Sequence, residues 1–393
     1  MKCKICSNNN TKEVINLGKQ PLANKYPKNN LQIKNEVKYY LKVFYCKNCR
    51  SGQISKLIDR NLMFKDYYYL SSVNDKLVNH FKKLAYKIRK SKFVIDIGSN
   101  DGILLKPLKD MGVKCLGIDP SINVGKIANK KGLNTIIGFF DKKIIKKILK
   151  TYQKPDVLVA SSVVTHLKNP KEFAKNIKSL LMKDGIFILE IEYLYNFIKN
   201  LEFERFYFDR PFYYSVKSID ILFKNVGMSL VDVEKIDVHG ESIRCYINNG
   251  KNFPKSNRLL KMLKNENKKL NINLFNEFNK KIKIETQNLI DNINLMKDSK
   301  KKIIGYGAPA RVATITNYAN ITEREIPVII DDSPLKQGRF SPGKHIRIIN
   351  KKNIDEKKVD TIIVFAYEYF KEIKKNFKNK KIKFYKPIPF KEL

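Results

Sequence analysis

The chain lacks any run of about 18 uncharged apolar residues, and its first residues, MKCKICSNNN, lack the apolar centre of a signal peptide. Both absences predict a soluble, cytoplasmic protein with no membrane partner. Histidine is scarce, with 4 residues in 393, so few side chains are available for general-base work near neutral pH. Acidic residues are short as well: 38 Asp plus Glu face 78 Lys plus Arg, a formal charge of +40. The lysines are spread along the whole chain, without a dense basic tail, which argues for compositional bias over specific nucleic-acid recognition. The excess still attracts a small anionic ligand. Apolar content is not short: 43% of residues are hydrophobic, enough for a sizeable core spread over roughly two or three domains.

The chain has 6 cysteines, and the spacing Cys3-x-x-Cys6 with Cys46-x-x-Cys49 pairs most of them. Two such turns let thiolates converge tetrahedrally on one zinc ion, and a site closed by sulfur leaves no position for substrate. A structural zinc is expected. Cys115 and Cys245 fall within strand-like apolar runs and read as buried core thiols.

A second absence lies in VIDIGSNDGILL, Val94 to Leu105, which reads as strand, turn and helix start. The dinucleotide fingerprint needs three glycines; here only Gly98 and Gly102 follow Asp96, so a pyrophosphate cradle is not expected. KCLGIDP forms the next strand, with Asp119 at its carboxyl end, and DVLVAS and GIFILEI supply further buried strands separated by amphipathic helices. This alternation predicts a doubly wound sheet with its ligand outside the carboxyl ends of the strands. A turn that lays backbone along a nucleoside and a short amino-acid tail, with an acid on the ribose hydroxyls, suits S-adenosylmethionine (SAM). Further on, Phe275, Phe278, Ile282, Leu289, Ile293 and Met296 keep helical spacing and predict a core-facing stripe. KKIIGYGAPARVATITNY, IPVIIDDSP and TIIVFAY then predict a second, smaller α/β domain whose turn, Gly305 to Arg311, suits a phosphate group or close packing.

The ordered set formed by the CxxC pairs, LGKQPLANKY, DYYYLSS, DIGSNDGILLKPL, GIDPS, HGESIR, GYGAPAR and SPLKQGRFSPGKHI resembles the SAM-dependent sugar C-methyltransferases. Those enzymes methylate C3 of nucleotide-linked 4-keto-deoxysugars. The resemblance runs nearly end to end and implies a mixed α/β architecture. Its parts are a zinc-binding domain (1–60), a helical connector reaching the substrate (61–90), a SAM-binding Rossmann-like domain (91–250), a helical linker (251–300) and a Rossmann-like C-terminal domain (301–393). It implies SAM contacts at Asp96, Gly98, Asn100, Asp101, Gly102, Asp119, Pro120, Phe139, Phe140, Ser161 and Ser162. For the nucleotide sugar it implies Asn24, Glu190, His239, Ser242, Arg244, Gly305, Tyr306, Gly307, Ala308 and Arg311. The catalytic roles carry over to His166, Tyr207, Asp209, Arg210 and one of Tyr67 or Tyr69.

The match breaks at the acceptor. Where the family has Tyr-His-Glu-His this chain has Tyr207-Phe208-Asp209-Arg210, so its presumed base is replaced by an arginine that cannot accept a proton. The family's Asn in the strand-end motif is Ser162, and its Pro beside the following acid is Glu192. These departures leave open C-methylation with the base moved to Asp209, His166 or Tyr207, O- or N-methylation of a sugar hydroxyl or amine with Arg210 binding a carboxylate or phosphate on the substrate, or a non-catalytic nucleotide-sugar binder. The rival from another class is an RNA methyltransferase, against which stands the want of a stacking-aromatic RNA module. His239 is as readily a structural histidine as a ligand contact, and the run Tyr67 to Tyr69 is as readily core as substrate wall.

Overall fold

The computed structural model of the protein describes residues 1–59, 71–73, 75–238 and 240–393. Tyr67, Tyr69 and His239 lie outside the described residues. The first sheet contains β1 (Thr11–Gln20), β2 (Tyr39–Cys46) and β3 (Gly52–Ile54), all antiparallel. The metal-type turns stand at its edge. In each, the residue after the second cysteine of a pair, Ser7 or Arg50, takes a left-handed φ and returns its N–H to the first cysteine's carbonyl, at 2.9 and 2.8 Å. The four Sγ atoms lie within 4.8 Å of one another, with Cys3 to Cys49 and Cys6 to Cys46 both at 3.6 Å. A tetrahedron of zinc–sulfur bonds about 2.3 Å long has edges of about 3.8 Å, so these residues fit a closed zinc site.

The central sheet contains β4 (Phe93–Ile97), β5 (Lys114–Asp119), β6 (Thr135–Ile137), β7 (Val157–Ser161) and β8 (Ile186–Glu192), which run parallel. Every residue of β4, Asp96 included, is buried, as its nearly continuous apolar run requires when both faces are covered by helices. After β8 the chain makes a two-residue strand, β9 (Phe212–Tyr213), and then the hairpin β10 (Ser229–Ile236) and β11 (Ser242–Asn248). The resulting order is β10-β11-β8-β7-β4-β5-β6, in which β11 pairs antiparallel to β8. Three of the helices begin on side-chain caps: Asp141 for 142–151, Asn169 with Pro170 for 170–180, and a Ser215–Ser218 capping box for 216–224.

β9 does not belong to the central sheet. It pairs with β3 and completes the first sheet, so a strand encoded about 160 positions downstream closes the cysteine-bearing module. Ser215 Oγ also donates to the Cys49 carbonyl at 3.0 Å. The linker region is likewise more than a spacer. The helix Ile272–Asp298 buries Phe275, Phe278, Ile282, Leu289 and Ile293, while Met296 is half-buried. These side chains share one core with Val14 and Leu41 of the first sheet, Phe197 and Phe206, and Ile303 and Ile363 of the last sheet. That last sheet contains β12 (Ile303–Tyr306), β13 (Val328–Ile330), β14 (Arg347–Ile349), β15 (Thr361–Val364), β16 (Lys383–Lys386) and β17 (Lys391–Glu392). Its order is β14-β13-β12-β15-β16-β17, parallel except for β17. Among the described residues no helix is long and apolar enough to cross a membrane. Cys245 is fully buried on β11 and Cys115 is half-buried on β5.

Because β3 and β9 pair across the module boundary, stripping the metal is expected to release both. In hydrogen exchange with and without a chelator, amides of Gly52–Ile54 and Phe212–Tyr213 should lose protection together, while β4 and β5 keep theirs. Retained protection at β9 would show that the cysteine cluster does not hold this strand.

Candidate active site

The carboxyl ends of the central and last sheets face a common cavity of about 820 Å³. On the central side the turn after β4 carries positive φ at Gly98, Asn100 and Gly102. A Cβ on Gly98 would sit 2.3 Å from Val163 Cγ2, so glycine is needed there both for its dihedral angle and for the close approach of β7's exit loop. Asp119, at the end of β5, accepts the N–H of Asn100 at 2.9 Å and of Ser121 at 2.8 Å. Burial still raises its carboxyl, with those two bonds opposing the shift. Asp96 is pushed up to about 8 by burial and by the charges of Asp119 and Glu190. The aromatic pair Phe139 and Phe140, with Pro120, Ser161 and Ser162, completes this end. A carboxylate fixed at the strand end beside an aromatic wall and exposed turn backbone fits the ribose and adenine of SAM.

The last sheet repeats the device. Asp331, just past β13, accepts the N–H of Ala308 at 2.6 Å and of Ser333 at 2.9 Å, as Asp119 does for Asn100 and Ser121. The shared spacing is Asp-x-Ser after an apolar strand, legible as 119–121 and 331–333, but no role follows from it until the two strand ends are seen to face each other. Tyr306, Gly307, Asp331, Asp332 and Lys336 line this end, and the Tyr306 hydroxyl donates to Asp332 at 2.9 Å. The N-terminal module contributes Asn24 and Tyr26, whose hydroxyl donates to Ala308 O at 2.7 Å.

Between the two ends stands the turn Tyr207–Arg210, closed by Arg210 N–H to Tyr207 O at 3.1 Å. Arg210 lies 5.2 Å from the Tyr207 ring centroid, and its Nη2 is 2.6 Å from Glu192 Oε1. Burial disfavours the guanidinium charge, but Glu192 together with Tyr207 and Tyr213 outweighs it, so Arg210 stays protonated. His166, in the short helix after β7, also lines the cavity, with Nδ1 bonded to the carbonyl of Asp209. In a neutral ring that bond makes Nδ1 the donor and Nε2 the basic nitrogen. Arg205, Arg311 and Glu368 form a further charged wall, in which Glu368 bonds both arginines.

Several expected contacts sit behind the wall. Asp209 is buried and turned to the N-terminal module, accepting Asn24 Nδ2 at 2.6 Å; burial raises its carboxyl. Asp101 bonds Ser72 and Lys131, fastening the connector to the first turn, whereas Asn100 does line the cavity and its Oδ1 accepts the N–H of Ser71 at 3.0 Å. Gly102 and Gly305 answer to packing, since a Cβ would meet Leu133 at 2.4 Å and Ile329 at 2.9 Å respectively. Glu190 and Arg244 pair at 2.7 Å, and His80, 2.9 Å from Glu190, completes a buried cluster at the hairpin. Burial pushes the Glu190 carboxyl up, but His80 and Arg244 outweigh it and hold it low. Ser242 bonds the Val238 carbonyl at 2.9 Å, and Ala308 is fully buried. Sequence reading missed Tyr26, Arg205, Asp331, Asp332, Lys336 and Glu368 on the wall, and His80 behind it.

Residues 3–64 match a zinc binding domain model, 69–233 a methyltransferase domain, and 237–389 a C-methyltransferase C-terminal domain. Over an alignment 402 positions long the chain is 25% identical to C-methyltransferase NovU of Streptomyces niveus, covering 98% of this chain and 95% of that protein. A segment of 122 residues is 30% identical to the ubiquinone biosynthesis O-methyltransferase of Pelagibacter ubique; it covers 30% of this chain and 49% of that one. The crystal structure of magnesium protoporphyrin IX methyltransferase from Synechocystis aligns with 46% of this chain and 90% of its own, at 15% identity and a TM-score of 0.37.

The Asp96 carboxyl gives a pH test of the ligand-free protein. Its folded value lies above the ordinary 3.8, so the stability it contributes is complete below that value and is lost as pH rises toward about 8. Asp96→Asn should therefore remove a downward slope of up to about 1.4 kcal/mol per pH unit between pH 5 and 8. Denaturation midpoints across that range should fall less steeply in the variant; parallel curves would show that Asp96 is already ionised.

Proposed function

The chain is a SAM-dependent methyltransferase, similar to a C-methyltransferase over 98% of its length, and from that premise we propose that its acceptor is a nucleotide-linked sugar held between the two Rossmann-like sheets. One observation carries this reading: a single cavity joins the Asp119 strand end to the Asp331 strand end. Two equivalent nucleoside-type ends facing each other suit two substrates that each carry a nucleoside. The cofactor's end is the one with Asp96, Gly98, Asp119 and Phe139; the acceptor's nucleotide takes the end with Tyr306, Gly307 and Asp331. The reacting sugar then falls beside Tyr207, Arg210 and His166.

Bound SAM supplies an electrophilic methyl group. The chain's own residues do the rest. His166 Nε2 takes the proton that the acceptor loses, with its Nδ1–H anchored on the Asp209 carbonyl. Arg210 cannot take that proton; it donates to a substrate oxygen. The Tyr207 ring supports the guanidinium from its face.

Incubation with methyl-labelled SAM and a panel of nucleotide sugars, half of them 4-keto, is expected to place the label on carbon adjacent to the keto group. NMR should also show exchange of that carbon's hydrogen into D2O when a SAM analogue is bound. His166→Gln should lower kcat by roughly 10²- to 10⁴-fold without weakening sugar binding. Label on oxygen or nitrogen would assign an acceptor other than carbon, and no transfer to any nucleotide sugar would overturn the reading.

A further inference from the structure

Three polar positions, distant in the chain, converge beside the turn that holds the acceptor. Arg210 closes the turn that begins at Tyr207, Glu192 ends β8, and Ser162 follows β7 with a left-handed φ of 55°. Arg210 Nη2 lies 2.6 Å from Glu192 Oε1, and Ser162 Oγ donates to the same oxygen at 3.4 Å. Glu192 is 1% exposed in its side chain and does not line the cavity; Arg210 is 12% exposed and does. Arg210 Nε is buried with no hydrogen-bond partner among the described residues. The pair thus presents guanidinium N–H groups to the cavity with the counter-charge fixed behind them.

That arrangement has a definite selectivity. A lone guanidinium at the acceptor would favour a carboxylate or phosphate on the substrate, as bidentate pairing is among the strongest polar contacts available. Here a buried carboxylate already balances the charge, and a second anion would face Glu192 as well as Arg210. An uncharged oxygen, carbonyl or hydroxyl, takes the remaining N–H donors without that repulsion. We propose that Arg210 and Glu192 form a charge-balanced hydrogen-bond clamp that makes the enzyme select sugars uncharged at the acceptor end and reject uronic acids. This rests on the nucleotide-sugar reading above and adds the electrical class of the sugar to it.

The test compares a nucleotide-linked neutral hexose with the matching uronate, UDP-glucose and UDP-glucuronate serving as probes, by equilibrium binding to the full chain in the presence of S-adenosylhomocysteine. The wild type should bind the neutral probe at least about tenfold more tightly. Glu192→Gln uncovers the guanidinium and should reverse the order, a gain of affinity for the uronate that a merely structural role does not produce. Since removing Glu192 leaves a buried arginine unpaired and endangers folding, the uncharged double variant Arg210→Gln with Glu192→Gln is measured beside it. It should keep S-adenosylhomocysteine affinity and lose the discrimination between the probes. Equal binding of both probes by the wild type, or the wild-type preference persisting in the double variant, would overturn the clamp while leaving the nucleotide-sugar reading intact. Failure of both probes and of free UDP to bind would instead overturn the nucleotide-sugar reading and the clamp with it.

Discussion

The pairing of Phe212–Tyr213 with Gly52 and Gln53 is the contact on which the placement of the turn Tyr207–Arg210 depends. Arg210 lies just upstream of this pairing, and Ile54 N–H reaches the Pro211 carbonyl at 3.0 Å. A short edge strand has little stability of its own. Its position is imposed by the cysteine cluster on one side, through Ser215 and Cys49, and by the aromatic packing of Phe206 and Tyr213 at 4.5 Å on the other. The cysteine cluster, which does not line the cavity, therefore acts mechanically, holding the turn that carries Tyr207 and Arg210 against the ends of β7 and β8. The single Asn24 to Asp209 bond does the same from the opposite face of the turn.

The second constraint is symmetry of a physical kind. Asp119 and Asp331 are each held by two backbone N–H groups, and each closes the second strand of its own parallel unit. Backbone donors orient a carboxylate more rigidly than side chains do, because they are part of the turn itself. The spine helix 272–298, sharing its core with all three modules, sets the two units mouth to mouth. Buried charge then concentrates along the seam: Glu368 bonds Arg205 from the central domain and Arg311 from the last one.

The departures at Ser162, Glu192 and Arg210 read as isolated oddities in the chain and as one cluster in space. Placing an arginine where a neutral base is expected adds a buried charge; placing a glutamate on the adjacent strand end removes the net charge again. The clamp and the loss of a base at position 210 are two sides of the same substitution, and they leave His166 as the histidine that lines the cavity among the described residues.

Local pattern was enough for β4, β5, β7 and β8 of one parallel unit and β12, β13 and β15 of the other, but not for the short β6 and β14 or for β16. Nearly continuous apolar runs such as FVIDI are legible because burial on both faces demands them. The cysteine pairs and the turn at Asp96 to Gly102 were equally legible, since metal geometry and positive φ restrict residue type within a few positions. The helical stripe from Phe275 to Ile293 announced a core face, though not that three modules would share it. What pattern did not carry was every feature built by contact between distant segments. Glu190 and Arg244 look like substrate groups at a strand end and prove to neutralise each other behind the wall. Asp101 and Asp209 look like ligand contacts and serve to fasten neighbouring segments. β9 carries too few residues to show any periodicity, so only a partner strand gives it identity. Spacing along a chain constrains backbone conformation and burial; which carboxylate meets which cation depends on how the sheets dock, and that is settled by packing across the modules.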